Sequence, residues 1–293
     1  MVFGIQLPIQ SQSLMFAEPW EATGGPADLG MLAQVADRSG FFYVAVCDHV
    51  AIPRLAAEKM STIWYDTVAT LGWIAAQTST VRLLSSVYNL TYRHPLVAAK
   101  SFATLDHLSG GRVIAGLGAG HLQGEFEALG VDFEGRGKNL DAAIDIFDEA
   151  LRNEYVGDVG AQPRPVQSPR PPIWLGGAAP VAVRRAATKG DGWIPQGTPL
   201  AEMPAMVELF NSHRNGVPGD IGCITEWIYM GSPSWDLDRP HVSGSAEEIA
   251  DKMRAWADTG VNHLQVRFPS RSAAELAEQM EAFGTTVGPL LNQ

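Results

Sequence analysis

Histidines and acidic residues at the ends of apolar runs are the first candidates for chemistry in this chain. The run GFFYVAVCDHV places Asp48 and His49 directly after a predicted strand, and His94 and His121 also fall near strand ends. A histidine with an ordinary pKa of about 6.5 exchanges protons near neutral pH and also ligates metals. The first predicted strand offers no His-x-His pair, so we expect no metal site. Local sequence leaves two roles open for His49: proton transfer, or packing beneath a loop with Asp48 as its partner.

Glycine-rich segments follow two further apolar runs. Residues 116–120 read GLGAG, and Gly176-Gly177 follows the run PPIWL. GLGAG lacks the G-x-G-x-x-G spacing of dinucleotide-binding turns. It indicates only that a flat ring could approach the backbone, and a tight exit from a strand explains it nearly as well. Gly176-Gly177 precedes a predicted helix whose free N–H groups attract anions, so there we favour phosphate binding over a plain turn.

Strand-like and helix-like segments alternate along the chain and must position these residues. The predicted strands are Val2–Leu7, Phe42–Cys47, Val81–Val87, Arg112–Leu117, Pro172–Leu175, Gly192–Pro195, Cys223–Met230 and His263–Phe268. The predicted helices are Ala27–Ser39, Tyr65–Thr78, Pro95–Leu108, Asn139–Asn153, Pro180–Lys189, Leu200–His213, Ala246–Thr259 and one that begins at Ala273. Short apolar runs followed by amphipathic stretches are typical of a parallel sheet covered by helices. Eight such units predict an α/β protein with a (β/α)8 TIM barrel.

The barrel prediction also says where function should lie, because active sites of such barrels occupy the C-terminal ends of the strands. Two connections at that end are long, Ala51–Trp64 and Gly118–Lys138. Long loops on this face are commonly binding loops or lids. We therefore predict one domain over residues 1–293 with extended loops at the C-terminal face.

Composition restricts the partners and the compartment. The chain has 46% hydrophobic and 18% charged residues, and 21 Lys and Arg against 32 Asp and Glu give a net charge of −11. Such an acidic chain repels phosphate backbones, so we expect no nucleic-acid partner. Cys47 and Cys223 lie in strand-like runs and are expected to be reduced core thiols. The opening MVFGIQLPIQ lacks a signal-peptide pattern and no stretch is long enough to span a bilayer, so we expect a cytoplasmic protein without a membrane partner.

Together these residues resemble the bacterial luciferase-like monooxygenase superfamily, and within it the branch that uses the deazaflavin coenzyme F420. The strongest section is YRHPLVAAKSFATLDHLSGGRVIAGLGAGHLQGEFEALGVDFEGRG, residues 92–137. GFFYVAVCDHVAIP, PPIWLGGAAPVAVRRAATKGDGWIP and SAEEIADKMRAWADTGVNHLQVRF also follow the family pattern. The resemblance covers nearly the whole chain. It implies a (β/α)8 barrel that binds a deazaflavin or flavin ring at the C-terminal face, and a homodimer.

The resemblance implies a role for each residue near the ring. His49 matches a position that handles a proton beside the reactive ring carbon, and Asp48 would hold His49 or contact the ring. Ser86-Val87 matches a cis peptide, not involving proline, that supports one face of the ring. Asn89 lies close behind as a polar contact.

The resemblance likewise assigns the rest of the cofactor site. Ala119, Gly120 and His121 match the tip of the fourth strand, which contacts the ring or the ribityl chain, and Gly176-Gly177 matches the phosphate-binding turn. The sugar-phosphate dehydrogenase branch has a glutamate where this chain has His121, which argues against that reaction. His121 could instead supply a second proton-transfer group or a cofactor contact.

The implied function is hydride transfer between F420 and an unidentified small organic substrate. Two-electron chemistry of this kind belongs to the cofactor, and the protein binds and orients it. Two alternatives stay open: a reduced-FMN monooxygenase, and a flavin- or deazaflavin-binding barrel protein with little turnover, since a fold does not guarantee an activity.

Overall fold

Eight parallel strands close into a barrel in the computed structural model, which describes residues 1–291. We label the barrel strands β1 (Val2–Gln6), β2 (Tyr43–Val46), β3 (Arg82–Ser85), β4 (Val113–Gly118), β5 (Ile173–Gly176), β6 (Gly192–Ile194), β7 (Asp220–Met230) and β8 (His263–Arg267). Each strand pairs with the next, and β8 returns to β1 with Val2 opposite His263. The predicted TIM barrel is confirmed, and each predicted strand overlaps one barrel strand.

Helices cover the outside of the barrel. They are α1 (Pro26–Arg38), α2 (Arg54–Met60), α3 (Thr67–Ala75), α4 (Pro95–Ser109), α5 (Gln123–Leu129), α6 (Arg136–Arg152), α7 (Pro180–Lys189), α8 (Met203–Ser212), α9 (Ala246–Ala257), α10 (Ala273–Ala282) and the final turn α11 (Gly288–Leu290). The short strands Tyr88–Asn89 and His241–Gly244 add to β4 and β7 respectively, and Tyr155–Val156 pairs with Val159–Gly160 as a hairpin.

The helices α2 and α5 differ from the prediction, because both lie in connections that the sequence indicates as loops. Each has seven residues, which is fewer than the window in which a helical hydrophobic period can be recognised. Only the end of α5 carries a strong signal, since Gly130 follows it with φ 68° in the left-handed conformation typical of a helix C-terminus. The C-terminal face is therefore more ordered than the sequence indicates.

Large side chains fill the interior of the barrel. Tyr43, Leu84, Ile114 and Trp174 form an inner cluster, separate from the main core between strands and helices. Gly4 makes room for this cluster, since a Cβ at Gly4 would lie 2.4 Å from the Tyr43 ring. The barrel is thus a packed core rather than a pore, which agrees with the general architecture of this fold.

The two cysteines are free, and the structure buries Cys223 and leaves Cys47 slightly accessible. Burial raises the pKa of the Cys47 thiol to about 11, and it also raises the pKa of Cys223. The predicted core position is confirmed for Cys223, whereas Cys47 is only partly buried. The raised pKa values disfavour the reactive thiolate form of both side chains. Among residues 1–291, the helices are all too short or too polar to cross a membrane.

Candidate functional site

Glu125 on α5 holds the imidazole of His49 at the tip of β2. The Glu125 Oε2 lies 2.8 Å from His49 Nδ1 and accepts a hydrogen bond of 2.9 Å from the Tyr92 hydroxyl. Oε1 accepts the backbone N–H groups of Val50 and Ala51. Burial alone raises the pKa of this carboxyl, but the hydrogen bonds from His49 and the two N–H groups outweigh burial and lower the pKa to about 2. Glu125 is therefore a buried, ionised anchor for His49.

The other side of the His49 ring faces aromatic neighbours. Its centroid lies 4.4 Å from that of Trp64 and 5.4 Å from that of His121, both edge-on. A carboxylate at Nδ1 places the imidazole proton there, and Nε2 has no hydrogen-bond partner within residues 1–291. Burial is the larger of two causes that lower the pKa of His121, and the nearby His49 is the smaller one. Nε2 of His49 is consequently the atom left for proton exchange.

Asp48 has a different partner from the one that the sequence indicates. Its carboxylate pairs with the Arg93 guanidinium through two hydrogen bonds of 2.7 and 2.8 Å, and it also accepts hydrogen bonds from Thr67 and the Asn89 N–H. Asp48 therefore does not hold His49, because the His49 ring is held by Glu125 instead; a contact between Asp48 and the cofactor ring stays a prediction. Asn89 donates its side-chain amide to the Asp48 carbonyl oxygen as well, so this group ties the tips of β2 and β3 together.

The predicted ring-supporting segment follows β3, the strand next to β2, and the Ser86 N–H donates to the Val46 carbonyl oxygen. The peptide between Ser86 and Val87 is cis, in agreement with the expectation. A Cβ at Gly118 or Gly176 would come within 2.5 or 2.9 Å of the Val87 side chain, so glycine is required at both positions. Ser86, Val87, Gly176 and Gly177 line one small pocket of about 40 Å³, which brings four of the predicted cofactor residues together.

The turn after β5 leads into α7 as the sequence predicts. Gly177 has φ 113°, a conformation that favours glycine, and its carbonyl oxygen accepts a hydrogen bond of 2.7 Å from the Trp193 indole. Pro180 and Val181 at the start of α7 are exposed, but Pro180 has no N–H, and the N–H groups of Ala182 and Val183 donate to the Ala179 carbonyl oxygen. The Val181 N–H is therefore the group of this first turn that is left for an anion. Arg185 lies further along and pairs with Asp141 at 2.6 Å, which removes it from this site.

We call the two pairs His49–Glu125 and Asp48–Arg93 the His49 cluster, and the predicted residues after β4 lie beside it. The Ala119 carbonyl oxygen accepts a hydrogen bond of 3.0 Å from Thr91. Gly120 has φ 72°, and a Cβ there would lie 2.8 Å from the Tyr92 hydroxyl. Together with His121, whose ring centroid lies 5.4 Å from that of His49, this segment therefore lies beside His49 and outside the lining of the small pocket.

A larger cavity of about 200 Å³ adjoins the small pocket, and no pattern in the sequence indicates it. We call it the β8 cavity; its wall includes Ile5, Leu7, Trp227, Gln265, Arg267 and Phe268. It shares Gln6, Gln196 and Ile224 with the small pocket. The two spaces are therefore neighbours at the mouth of the barrel.

Glu125, Arg93 and the β8 cavity are the features that sequence reasoning missed. Glu125 had a detectable signal, since the run QGEFEAL ends at Gly130, a typical helix C-terminal glycine. Arg93 lies 45 residues from Asp48, and Glu125 lies 76 residues from His49, so no local pattern connects either pair.

Comparison with known proteins places these features in one family. The profile of the family described as luciferase-like monooxygenase matches residues 1–223. An uncharacterized protein of Sinorhizobium fredii is 32% identical over 211 residues, which is 69% of this chain and 59% of that protein, so the match spans less than two thirds of the relative. An F420-dependent glucose-6-phosphate dehydrogenase of Segniliparus rotundus is 24% identical over 313 residues, 87% of this chain and 92% of that protein. The crystal structure of monooxygenase RslO1 from Streptomyces bottropensis superposes with a TM-score of 0.79 at 22% identity, covering 99% of both chains.

Proposed function

The chain belongs to the luciferase-like monooxygenase family, and on that premise we propose that it is an F420-dependent oxidoreductase that transfers a hydride between the coenzyme and a small organic substrate. The observation that carries the proposal is the His49–Glu125 pair, 2.8 Å apart at the C-terminal face of the barrel. A histidine fixed by a buried carboxylate is suited to move a proton, which must accompany hydride transfer to or from an organic substrate. The F420-dependent relative from Segniliparus rotundus supports the choice of coenzyme.

The small pocket of about 40 Å³ is too small to enclose a tricyclic ring, but the residues that line it fit contacts with one face of a ring lying over the barrel mouth. Val87 packs where Gly118 and Gly176 leave room, and the Gly177 turn leads into the exposed N-terminus of α7. Ser86, Val87 and Gly176 would hold the ring, and the exposed turn at Gly177 with the Val181 N–H would hold the phosphate. When bound, F420 supplies a ring carbon that accepts or donates a hydride in a two-electron reaction.

The chain's own residues then have separate tasks. His49 Nε2 exchanges the proton, and Glu125 keeps the ring in the orientation that exposes Nε2. The Asp48–Arg93 pair fixes the backbone on which His49 stands. Such fixed hydrogen bonds hold a reacting group in place and avoid reorganisation during the reaction.

Parallel titrations with oxidised F420 and with FMN test the proposal. We expect F420 to bind at least tenfold more tightly, followed by coenzyme turnover with members of a substrate panel. A preference for FMN supports a reduced-flavin monooxygenase instead, and tight binding without turnover supports a binding protein. Either result contradicts the proposal.

A pair of glycine variants locates the coenzyme. Gly176→Ala places a Cβ 2.9 Å from Val87, whereas a Cβ at Gly25 meets no atom within 4 Å. We expect Gly176→Ala to weaken F420 binding at least tenfold and Gly25→Ala to leave it unchanged. Unchanged binding in Gly176→Ala would show that the ring lies elsewhere.

We also propose that the protein works as a homodimer. Three large apolar side chains on neighbouring helices support this: Trp73 on α3, and Val97 and Leu108 on α4, are all exposed. Light scattering is expected to give twice the monomer mass. A monomer mass at working concentration would contradict the proposed dimer but would leave the proposed activity untouched.

A further inference from the structure

Arg267 at the C-terminal end of β8 is a partly buried cation without a carboxylate partner. Burial is the main cause that lowers its pKa, so its guanidinium is poorly solvated. It forms no ion pair with any Asp or Glu of residues 1–291. Charged side chains are rarely buried unless they are paired, because an unpaired charge loses its solvation without compensation. Arg267 therefore carries a charge that an anion from solution would satisfy.

Two contacts fix the Arg267 guanidinium and leave one of its edges free. Nε donates a hydrogen bond of 2.9 Å to the Thr225 carbonyl oxygen, and the group lies 5.0 Å from the centre of the Trp227 ring. Nη1 and Nη2 find no acceptor in the described chain, and neither is fully buried. Arg267 lines the β8 cavity, and two N–H groups in one plane match the two oxygens of a carboxylate. The Nη edge is thus a preformed site for a carboxylate in the cavity wall.

The negative charges in the cavity wall already have partners. The charged residues that line the cavity are Glu18, Glu21 and Arg267. Glu18 pairs with Arg239 at 2.8 Å, and the Glu21 carboxylate accepts two backbone N–H groups at 2.8 Å each. Burial raises the pKa of both carboxyls, because it disfavours their charged forms. The charge of the wall that lacks a partner is therefore the positive charge of Arg267.

We propose that the β8 cavity is the substrate subsite, and that Arg267 binds the carboxylate group of a small organic acid. A guanidinium has donors and no acceptor, and a carboxylate accepts two hydrogen bonds in one plane and carries the opposite charge. The apolar walls at Ile5, Leu7 and Phe268 fit the carbon skeleton of the acid. The acid is compact, because the cavity of about 200 Å³ is smaller than the roughly 300–1,000 Å³ of sites for drug-sized ligands.

This inference rests on the proposed function, because it takes the neighbouring small pocket as the coenzyme site. The two spaces share Gln6, Gln196 and Ile224, whereas Arg267 lines the β8 cavity and not the small pocket. An acid held by Arg267 would therefore adjoin a ring beside Val87 without sharing Arg267 with that ring.

Four probes test the selectivity by calorimetry on the protein without coenzyme: cyclohexanecarboxylate, cyclohexanecarboxamide, cyclohexylmethylammonium and acetate. We expect cyclohexanecarboxylate to bind at least tenfold more tightly than each of the other three. The carboxamide has a similar shape without the charge, the ammonium probe has the opposite charge, and acetate lacks the carbon skeleton. Equal or tighter binding of the carboxamide or of the ammonium probe would overturn the role of Arg267. Equal or tighter binding of acetate would overturn the apolar subsite, and absence of cyclohexanecarboxylate binding would overturn the inference as a whole.

Variants then test Arg267 itself. Arg267→Met removes the charge and is expected to weaken cyclohexanecarboxylate binding at least tenfold, while carboxamide binding changes less than twofold. Arg267→Gln keeps a polar but uncharged side chain and should show the same loss.

Arg136→Met is the matched control for both variants. Arg136 is also partly buried, lies 3.9 Å from the centre of the Phe133 ring and donates to the Phe133 carbonyl oxygen, and neither residue lines the cavity. The affinity for cyclohexanecarboxylate should persist in this variant. Unchanged affinity in a folded Arg267→Met or Arg267→Gln protein, or an equal loss in Arg136→Met, would overturn the role of Arg267.

Coenzyme titrations of the same proteins separate this inference from the proposed function. We expect wild-type protein and Arg267→Met to bind F420 equally, and cyclohexanecarboxylate to bind with F420 present. Absence of coenzyme binding with an intact preference for the carboxylate probe defeats the proposed function alone. Coenzyme binding without that preference defeats the inference alone. Displacement of cyclohexanecarboxylate by F420, or weaker F420 binding in Arg267→Met, would assign Arg267 to the anionic part of the coenzyme and overturn the inference.

Discussion

The carboxylates of the His49 cluster and the Gln265 amide in the wall of the β8 cavity are buried to the same degree, but their hydrogen bonding differs. Glu125 is 0% exposed, Asp48 is 3% exposed and Gln265 is 4% exposed. The two carboxylates each receive several hydrogen bonds, whereas the Gln265 amide receives none from the described chain. Burial alone therefore does not identify the function of a polar group, and the state of its hydrogen bonds is more informative.

The difference has an energetic consequence. Removing one member of a satisfied buried pair leaves the other without a partner, which is costly, whereas an unpaired buried group already carries that cost. Substitutions in the His49 cluster should accordingly lower the free energy of unfolding. Replacing Gln265 by an apolar residue should leave the free energy of unfolding unchanged or raise it in the absence of ligand. Four substitutions, taken from the largest expected effect to the smallest, test this contrast.

His49→Ala should have the largest effect, and it should fall on turnover. Loss of a general acid or base typically lowers the rate by about 10²–10⁴-fold. F420 affinity should change little, because the phosphate is proposed to bind at the Gly177 turn. Steady-state kinetics with a working substrate and a coenzyme titration provide the two readouts, and the exposed His213 supplies the control His213→Ala.

Two results would contradict the role of His49. Abolished F420 binding in a folded His49→Ala protein would make it a binding residue. Nearly full turnover would transfer the proton-handling role to His121, whose ring centroid lies 5.4 Å from that of His49.

Asp48→Ala should have the largest effect on stability, because it leaves the Arg93 guanidinium without its carboxylate. Breaking a buried pair in this way costs about 3–5 kcal/mol. Asp145→Ala is the matched control, since Asp145 pairs with Lys189 at 2.5 Å but is 66% exposed, and exposed pairs contribute about 1 kcal/mol or less. Urea denaturation of both variants measures the free energies of unfolding. Equal losses in the free energy of unfolding would show that the Asp48–Arg93 pair stabilises the protein no more than the exposed Asp145–Lys189 pair does.

Glu125→Gln should lower the free energy of unfolding by less than Asp48→Ala does, and the size of this loss should depend on pH. Hydrogen bonds to a charged group contribute about 1.5–3 kcal/mol each, and a glutamine side chain keeps some of them. The Glu125 pKa is about 2 in the folded protein and about 4.3 in an unfolded chain. The stabilisation is therefore complete above pH 4.3 and disappears as the pH falls toward 2. Free energies of unfolding at pH 7, 4 and 3 should show the gap between wild type and variant narrowing; a constant gap would contradict the assignment.

The same contrast explains what the sequence could predict. The eight strands and the position of His49 follow from apolar runs and their ends, which are local patterns. The anchor of His49 lies 76 residues away on α5, a helix too short to show a hydrophobic period, and the partner of Asp48 is equally remote. The sequence places Gln265 only within a strand, because the absence of a hydrogen-bond partner is a property of the folded arrangement and leaves no mark in the sequence.

Gln265→Leu should have the smallest effect on stability, and its sign is the sharpest test of the contrast. Leucine has a similar volume and removes an unpaired buried amide without breaking a hydrogen bond, so the free energy of unfolding should stay constant or rise by up to about 1 kcal/mol. Gln279→Leu breaks the 2.6 Å hydrogen bond from the Met230 N–H. It should lower the free energy of unfolding by about 1–3 kcal/mol, because that partly buried N–H is left unpaired. Thermal unfolding without ligand compares the two, at roughly 2–4 °C per kcal/mol for a chain of this size. If Gln265→Leu destabilised the protein as much as Gln279→Leu, the Gln265 amide would be part of the folded hydrogen-bond network, and the contrast between the two regions would fail.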